Sequence, residues 1–136
     1  VPFGPAAETA PSGDGSCMIV VATDAPVDSR NLERIARRAM LGLARTGSFA
    51  SNGSGDFVIA FSTANLEPYA PENRERTITV VDNDHMSPLF LATVEAVEEA
   101  VYNSLTAATT VTGRDGHRAE AVPLDALKRL LGDPSD

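Results

Sequence analysis

One cysteine, Cys17, is all the chain has, so no disulfide can form within it. Basic residues are also scarce: 11 Lys and Arg stand against 19 Asp and Glu, a net charge of −8. That deficit argues against a nucleic-acid partner, which needs an excess of cations. No apolar run approaches the roughly 20 residues of a membrane span, so no membrane contact is expected. No charged-then-apolar signal segment opens the chain. It begins Val1-Pro2-Phe3-Gly4-Pro5 without Met, which predicts a fragment or a processed product. There is no internal repeat. What is present is ordinary globular material, 43% apolar and 22% charged over 136 residues. That is one domain or a piece of one, able to bury roughly two-thirds of its unfolded surface without disulfide or structural metal.

Residues 1–15 hold three Pro and three Gly and read as an extended connector. Cys17 to Thr23 is a short, continuously apolar, β-branched run, the pattern of a strand covered on both faces. Asp24 to Ser29 is a turn. Leu32, Ile35, Ala36, Ala39, Met40 and Leu43 then recur at helical spacing, with Asp28 or Ser29 as N-cap and Gly47 as stop. Arg30, Arg34, Arg37, Arg38 and Arg45 lie off that stripe, as a solvated face or as a surface for an acidic partner segment. Asp56 to Thr63 is a second strand apolar on both faces, and 65–74 a loop. Thr77 to Val81 has the composition of a third strand, ended by Asp82-Asn83-Asp84-His85.

Ser87 and Pro88 read as N-cap and first residue of a long helix. Its stripe runs through Phe90, Val94, Val97 and Val101, flanked by Leu89, Ala96 and Tyr102, and Glu95, Glu98 and Glu99 form an acidic face. A stripe that wide fits either core packing or a contact between subunits. Residues 109–112 are a short strand or a linker, 113–116 a turn, and 123–131 a last helix stopped by Gly132 and Pro134. Doubly apolar strands mixed with helices predict a layered α/β sandwich.

Three places could carry chemistry. At Gly15-Ser16 the connector meets the first strand. If that peptide bond were cut, Ser16 would carry a hydroxyl nucleophile and a free α-amine. The unperturbed amine pKa of about 7.7–8.0 suits a general base, so one residue would supply nucleophile and base. A Gly-Ser pair before a strand is also how ordinary loops end. Ser54 and Asp56 are alternate residues at the mouth of the second strand, so their side chains can project together and orient a hydroxyl or an amine. The same segment is also a plain polar turn. As a phosphate cradle, 52–55 lacks the full glycine pattern, a Lys and a following helix. Asp82, Asp84 and His85 could ligate a metal, but one His without a partner at ligand spacing is what a strand-ending turn has too. His117 has no acid partner identifiable by spacing. Cys17 should point away from Ser16 and act as a small buried hydrophobe.

Several stretches together resemble one family. They are Gly15-Ser16-Cys17-Met18-Ile19-Val20-Val21-Ala22-Thr23-Asp24-Ala25-Pro26, Arg37 to Gly47, Asn52-Gly53-Ser54-Gly55-Asp56 with Ala60-Phe61-Ser62, Glu98 to Leu105, and Gly113-Arg114. They resemble the β-subunit of the L-aminopeptidase D-amidase/esterase (DmpA) and β-peptidyl aminopeptidase (BapA) family, from about residue 15 onward. The resemblance implies an αββα sandwich like the N-terminal-nucleophile hydrolases with different connectivity. It implies a precursor that cuts itself at a Gly–Ser bond into α and β chains that stay together. Residues 1–15 would be the end of the α portion and 16–136 the β-subunit. Ser16 would be the nucleophile, Ser54 the supporting serine and Asp56 the acid, where the best-known members carry Glu. That is one methylene shorter, about 1.5 Å of reach.

The implied activity is a serine aminopeptidase or amidase. It would release N-terminal L-, D- or β-aminoacyl residues from peptides, amides or esters through an acyl-enzyme on Ser16. No metal and no organic cofactor are expected. The expected partners are the α-subunit of the same precursor, which carries the oxyanion and pocket residues, and further αβ units, as a tetramer. The alternatives are an acyltransferase related to ornithine acetyltransferase, against which Ser16 weighs because that family uses Thr, and a non-catalytic α/β oligomerisation domain. Acidic charge and the lone Cys17 fit a cytoplasm, with a periplasmic location open for relatives that carry a leader on the α portion.

Overall fold

The computed structural model describes residues 15–66, 69, 75 and 77–132. The connector up to residue 14, most of 67–76 and Pro134 lie outside that set. The first strand, β1 (Met18–Thr23), runs into helix α1 (Ser29–Arg45) and then into β2 (Phe57–Ser62). β1 and β2 are parallel neighbours, in register from Met18 opposite Phe57 to Thr23 opposite Ser62. Parallel neighbours need a crossover, and α1 is that crossover. Asp28 caps it, its side chain accepting from the Asn31 N–H at 2.8 Å. Gly47, at φ +101°, ends it in the left-handed conformation that only glycine adopts freely.

Helix α2 (Ser87–Ala107) lies against α1. Gly42 lets the two approach: a Cβ there would sit 2.5 Å from the Val94 carbonyl oxygen and 2.8 Å from the Val97 Cβ. Two patches of core result. Ile19, Ala39, Leu43 and Val97 pack with the half-buried Cys17 and Val21. Val27, Ile35 and Met86 pack with Ala60 and Phe90. The Arg-rich face of α1 is used inside the chain. The Arg34 and Arg38 guanidinium groups lie 4.9 and 4.0 Å from the Phe90 ring centre. Arg37 pairs with Glu33 on its own helix, and Arg45 meets Glu98 of α2 at 3.1 Å. The basic and acidic helices thus meet at one exposed pair, worth about 0–1 kcal/mol.

Three expectations change. The strands are covered on one face only by the described residues. Ile19, Val21, Val58 and Ala60 face the helices, while Met18, Val20, Phe57, Ile59 and Phe61 remain exposed on the other face. Thr77–Val81 is not a strand: it forms no ladder among the described residues, and the Val81 N–H donates to the Pro26 carbonyl at 2.7 Å. β composition reports a fit to a pleated surface, not the presence of a partner. Ser87 is the first residue of α2 and Met86 its cap, without a side-chain capping bond, a shift of one position. Val111–Thr112 is a strand (β3), paired antiparallel with β4 (Arg118–Ala119). The last helix, α3 (Leu124–Leu131), ends at Gly132 with φ +76°.

Candidate active site

The ends of β1 and β2 meet because the strands are parallel and in register, so the residues preceding each strand lie side by side. A two-residue period then sorts the side chains. Cys17 turns toward the helices, and Ser16 takes the other side, exposed. Ahead of β2, a turn closed by the Ser54 N–H on the Ser51 carbonyl at 2.9 Å presents Ser54, Gly55 and Asp56.

The residues singled out from sequence come together here. The Ser54 hydroxyl lies 2.7 Å from Asp56 Oδ2 and 3.0 Å from the Gly15 carbonyl oxygen. Asp56 Oδ1 accepts the Cys17 N–H at 2.8 Å. The carboxylate therefore spans from the backbone just ahead of β1 to Ser54, and the shorter acidic side chain suffices for both bonds. The Gly55 N–H donates to Ser16 Oγ at 3.0 Å. The Gly15–Ser16 peptide sits in the middle of this network. Its carbonyl oxygen faces a hydroxyl donor, and its serine oxygen faces an N–H donor.

A pocket of about 310 Å³ opens on the cluster, lined by Gly15, Ser16, Leu43, Phe49, Ser54 and Asp56 among others. The 47–51 loop that forms one wall was not foreseen. Phe49 is 86% exposed, and Ala50 holds φ +52°, uncommon for a residue with a Cβ. An aromatic isolated in a polar loop was the only signal available. The Gly55 donor was missed as well, because a backbone N–H leaves no mark in a sequence. Asp82, Asp84 and His85 form a 3₁₀ turn in which Asp82 caps the Asp84 N–H at 2.9 Å. Among the described residues no cluster of three or more His, Cys, Asp or Glu is arranged to hold a metal. Neither His85 nor His117 lines the pocket.

The geometry defines a class of site: two serines and a carboxylate gathered around a Gly–Ser peptide at the mouth of a parallel strand pair. The model of peptidase family S58 matches residues 1–119, and the chain belongs to that family. It is 41% identical over 119 residues to the β-peptidyl aminopeptidase BapA of Sphingosinicella microcystinivorans, covering 88% of this chain and 30% of that protein. The L-aminopeptidase D-Ala-esterase/amidase of Ochrobactrum anthropi, a serine aminopeptidase with a variant of the Ntn hydrolase fold, superposes with a TM-score of 0.76 at 37% identity. That match covers 83% of this chain and 32% of the other. The PH0078 protein of Pyrococcus horikoshii OT3 superposes with a TM-score of 0.74 at 51% identity, again over 83% and 32%. The chain thus spans about a third of the length of each of these relatives. Its mixed α/β architecture is that of the Ntn-hydrolase-fold aminopeptidases.

Proposed function

We propose that this chain is the β portion of a self-processing serine aminopeptidase, with Ser16 as nucleophile and Ser54 and Asp56 as its positioning partners. The observation that carries the reading is the network around the Gly15–Ser16 peptide. In processing, Ser16 Oγ attacks the Gly15 carbonyl carbon. The Ser54 hydroxyl, 3.0 Å from the carbonyl oxygen, meets the charge that develops there. The C–N bond breaks as the nitrogen takes a proton, leaving an ester. Water opens the ester, giving a Gly15 carboxylate and a free α-amine on Ser16.

In turnover the amine takes the Ser16 hydroxyl proton while Oγ adds to the carbonyl of a substrate's N-terminal residue. That proton passes to the departing amine, and water hydrolyses the acyl-enzyme. Once Gly15 has gone, the Ser54 hydroxyl proton is free to rest on Asp56, and the lone pairs of Ser54 can accept from the new ammonium. The acyl group released is aminoacyl, as in the names of the relatives, and the α portion completes the pocket. No metal or organic cofactor enters this mechanism.

We further propose a homo-oligomer of αβ units, in the cytoplasm. The oligomer rests on the open apolar residues of α2, and the compartment on acidic charge and a single cysteine. Replacing Ser16 by Ala in the full-length protein tests the catalytic reading. Hydrolysis of an aminoacyl p-nitroanilide should fall by about 1,000-fold or more, and unchanged turnover would remove Ser16 as nucleophile.

A further inference from the structure

We infer that the backbone N–H of Gly55 is a catalytic donor to the nucleophile oxygen itself, and that residue 55 is glycine because a side chain there would displace Ser16. The inference rests on the proposed role of Ser16. A serine hydroxyl has one proton to give and two lone pairs to accept with. The Gly55 N–H, 3.0 Å from Ser16 Oγ, occupies one lone pair. The hydroxyl proton stays available to a base, and the second lone pair remains to attack a carbonyl.

The bond gains strength when it is needed. An N–H donating to a neutral hydroxyl is an ordinary hydrogen bond; the same N–H donating to an oxygen that is losing its proton is charge-assisted and roughly twice as strong. The difference lowers the barrier, because only interactions stronger in the transition state accelerate a step. Acylation uses it once: the hydroxyl proton leaves Oγ for the α-amine as the O–C bond forms. Deacylation uses it again: water gives a proton to the amine as its oxygen adds to the acyl carbon, the C–Oγ bond breaks, and its electron pair returns to Oγ beside the Gly55 N–H while the amine passes that proton on to Oγ. Self-cleavage draws on the same oxygen. In that step Gly55 serves the nucleophile oxygen while the Ser54 hydroxyl serves the Gly15 carbonyl.

Space around residue 55 supports the second half of the inference. An added Cβ would lie 3.2 Å from Ser16 Oγ, a tighter approach than such contacts allow at ease, while its next neighbour, the Phe57 ring, is at an ordinary 3.7 Å. The backbone of Gly55 is not left-handed, so an alanine meets no left-handed strain. The serine oxygen alone must give way, losing its alignment with the N–H and with the carbonyl it attacks.

Gly55→Ala in the full-length protein is the test, with kcat on an aminoacyl p-nitroanilide counted per chain that mass spectrometry shows to begin at Ser16. We expect kcat to fall by about 10-fold, because the nucleophile must move by a few tenths of an ångström where a misplacement near 1 Å costs about 100-fold, with KM within about twofold and self-cleavage slowed by a similar factor. In a Ser16→Ala background the same change should leave the melting temperature unaltered, because the crowded oxygen is gone. A Gly55→Ala enzyme within twofold of wild type in kcat would overturn the inference. So would a loss of stability as large in the Ser16→Ala background as in the protein that keeps Ser16, because the crowding would then lie elsewhere. An inactive Ser16→Ala with a fully active Gly55→Ala would remove this inference alone; a fully active Ser16→Ala would remove the catalytic reading beneath it.

Discussion

Ser54 has one hydroxyl proton and two acceptors within reach, the Gly15 carbonyl at 3.0 Å and Asp56 Oδ2 at 2.7 Å, so it serves one at a time. Asp56 fixes which way that serine is held, and it does so while tied to the Cys17 N–H. The two oxygens of Asp56 can be separated by substitution. Asp56→Asn keeps an acceptor for Cys17 and loses the one for Ser54. Turnover should fall by about 10- to 100-fold with little change in melting temperature. Asp56→Ala loses both, and the unpaired, half-buried N–H should cost about 1–3 kcal/mol in denaturant unfolding besides the activity. Equal stability of the two variants would show that the Cys17 bond carries no structural role. The pairing of Ser54 with Asp56 was legible from the two-residue strand period alone. That it closes around Gly15 and Ser16, 39 positions away for each long-range bond, was legible only through the family resemblance. Spacing along a chain does not say which strands are neighbours.

At the level of elements, helix patterns carried further than strand patterns. The stripe of α1, its Asp28 cap and its Gly47 stop all stand where the periodicity and the capping residues put them. Thr77–Val81 looked as much like a strand as β1 does, but a strand is made by its partner, and among the described residues none pairs with it. The acidic and basic helix faces likewise announced a contact without its detail. Among the described residues, Arg34 and Arg38 rest against the ring of Phe90 instead of an acidic side chain. Gly42 is the element-scale feature that sequence hides best, since a glycine inside a helix ordinarily costs about 1 kcal/mol against alanine. Here it permits the α1–α2 approach, and an added methyl would press on the Val94 backbone. Gly42→Ala should therefore destabilise the protein by about 1–3 kcal/mol, despite the better helix former. Chemical denaturation of the full-length variant checks this. An unchanged or raised stability would mean that the helices have room to spare.

The chain spans about a third of the length of the relatives it matches. One face of the β1–β2 pair presents Met18, Val20, Phe57, Ile59 and Phe61 to solvent, and doubly apolar strands of this kind belong in the middle of a layered fold. Helix α2 adds Leu91, Tyr102 and Leu105, each about half exposed. Val97 and Leu89 are packed on the core instead, so they are poor probes of assembly. Leu91→Asp with Leu105→Asp should reduce the assembled particle to single αβ units by light scattering at micromolar concentration. A wild type that is already a lone αβ unit would refute the oligomer. The proposed chemistry requires Gly15–Ser16 to be both the bond that is cut and the origin of the nucleophile. Intact-mass measurement of freshly folded full-length protein tests this most directly. The expected result is a β chain whose mass begins at Ser16, and a single uncut chain in the Ser16→Ala variant; a wild-type protein that stays uncut while hydrolysing aminoacyl amides would rule the proposed chemistry out.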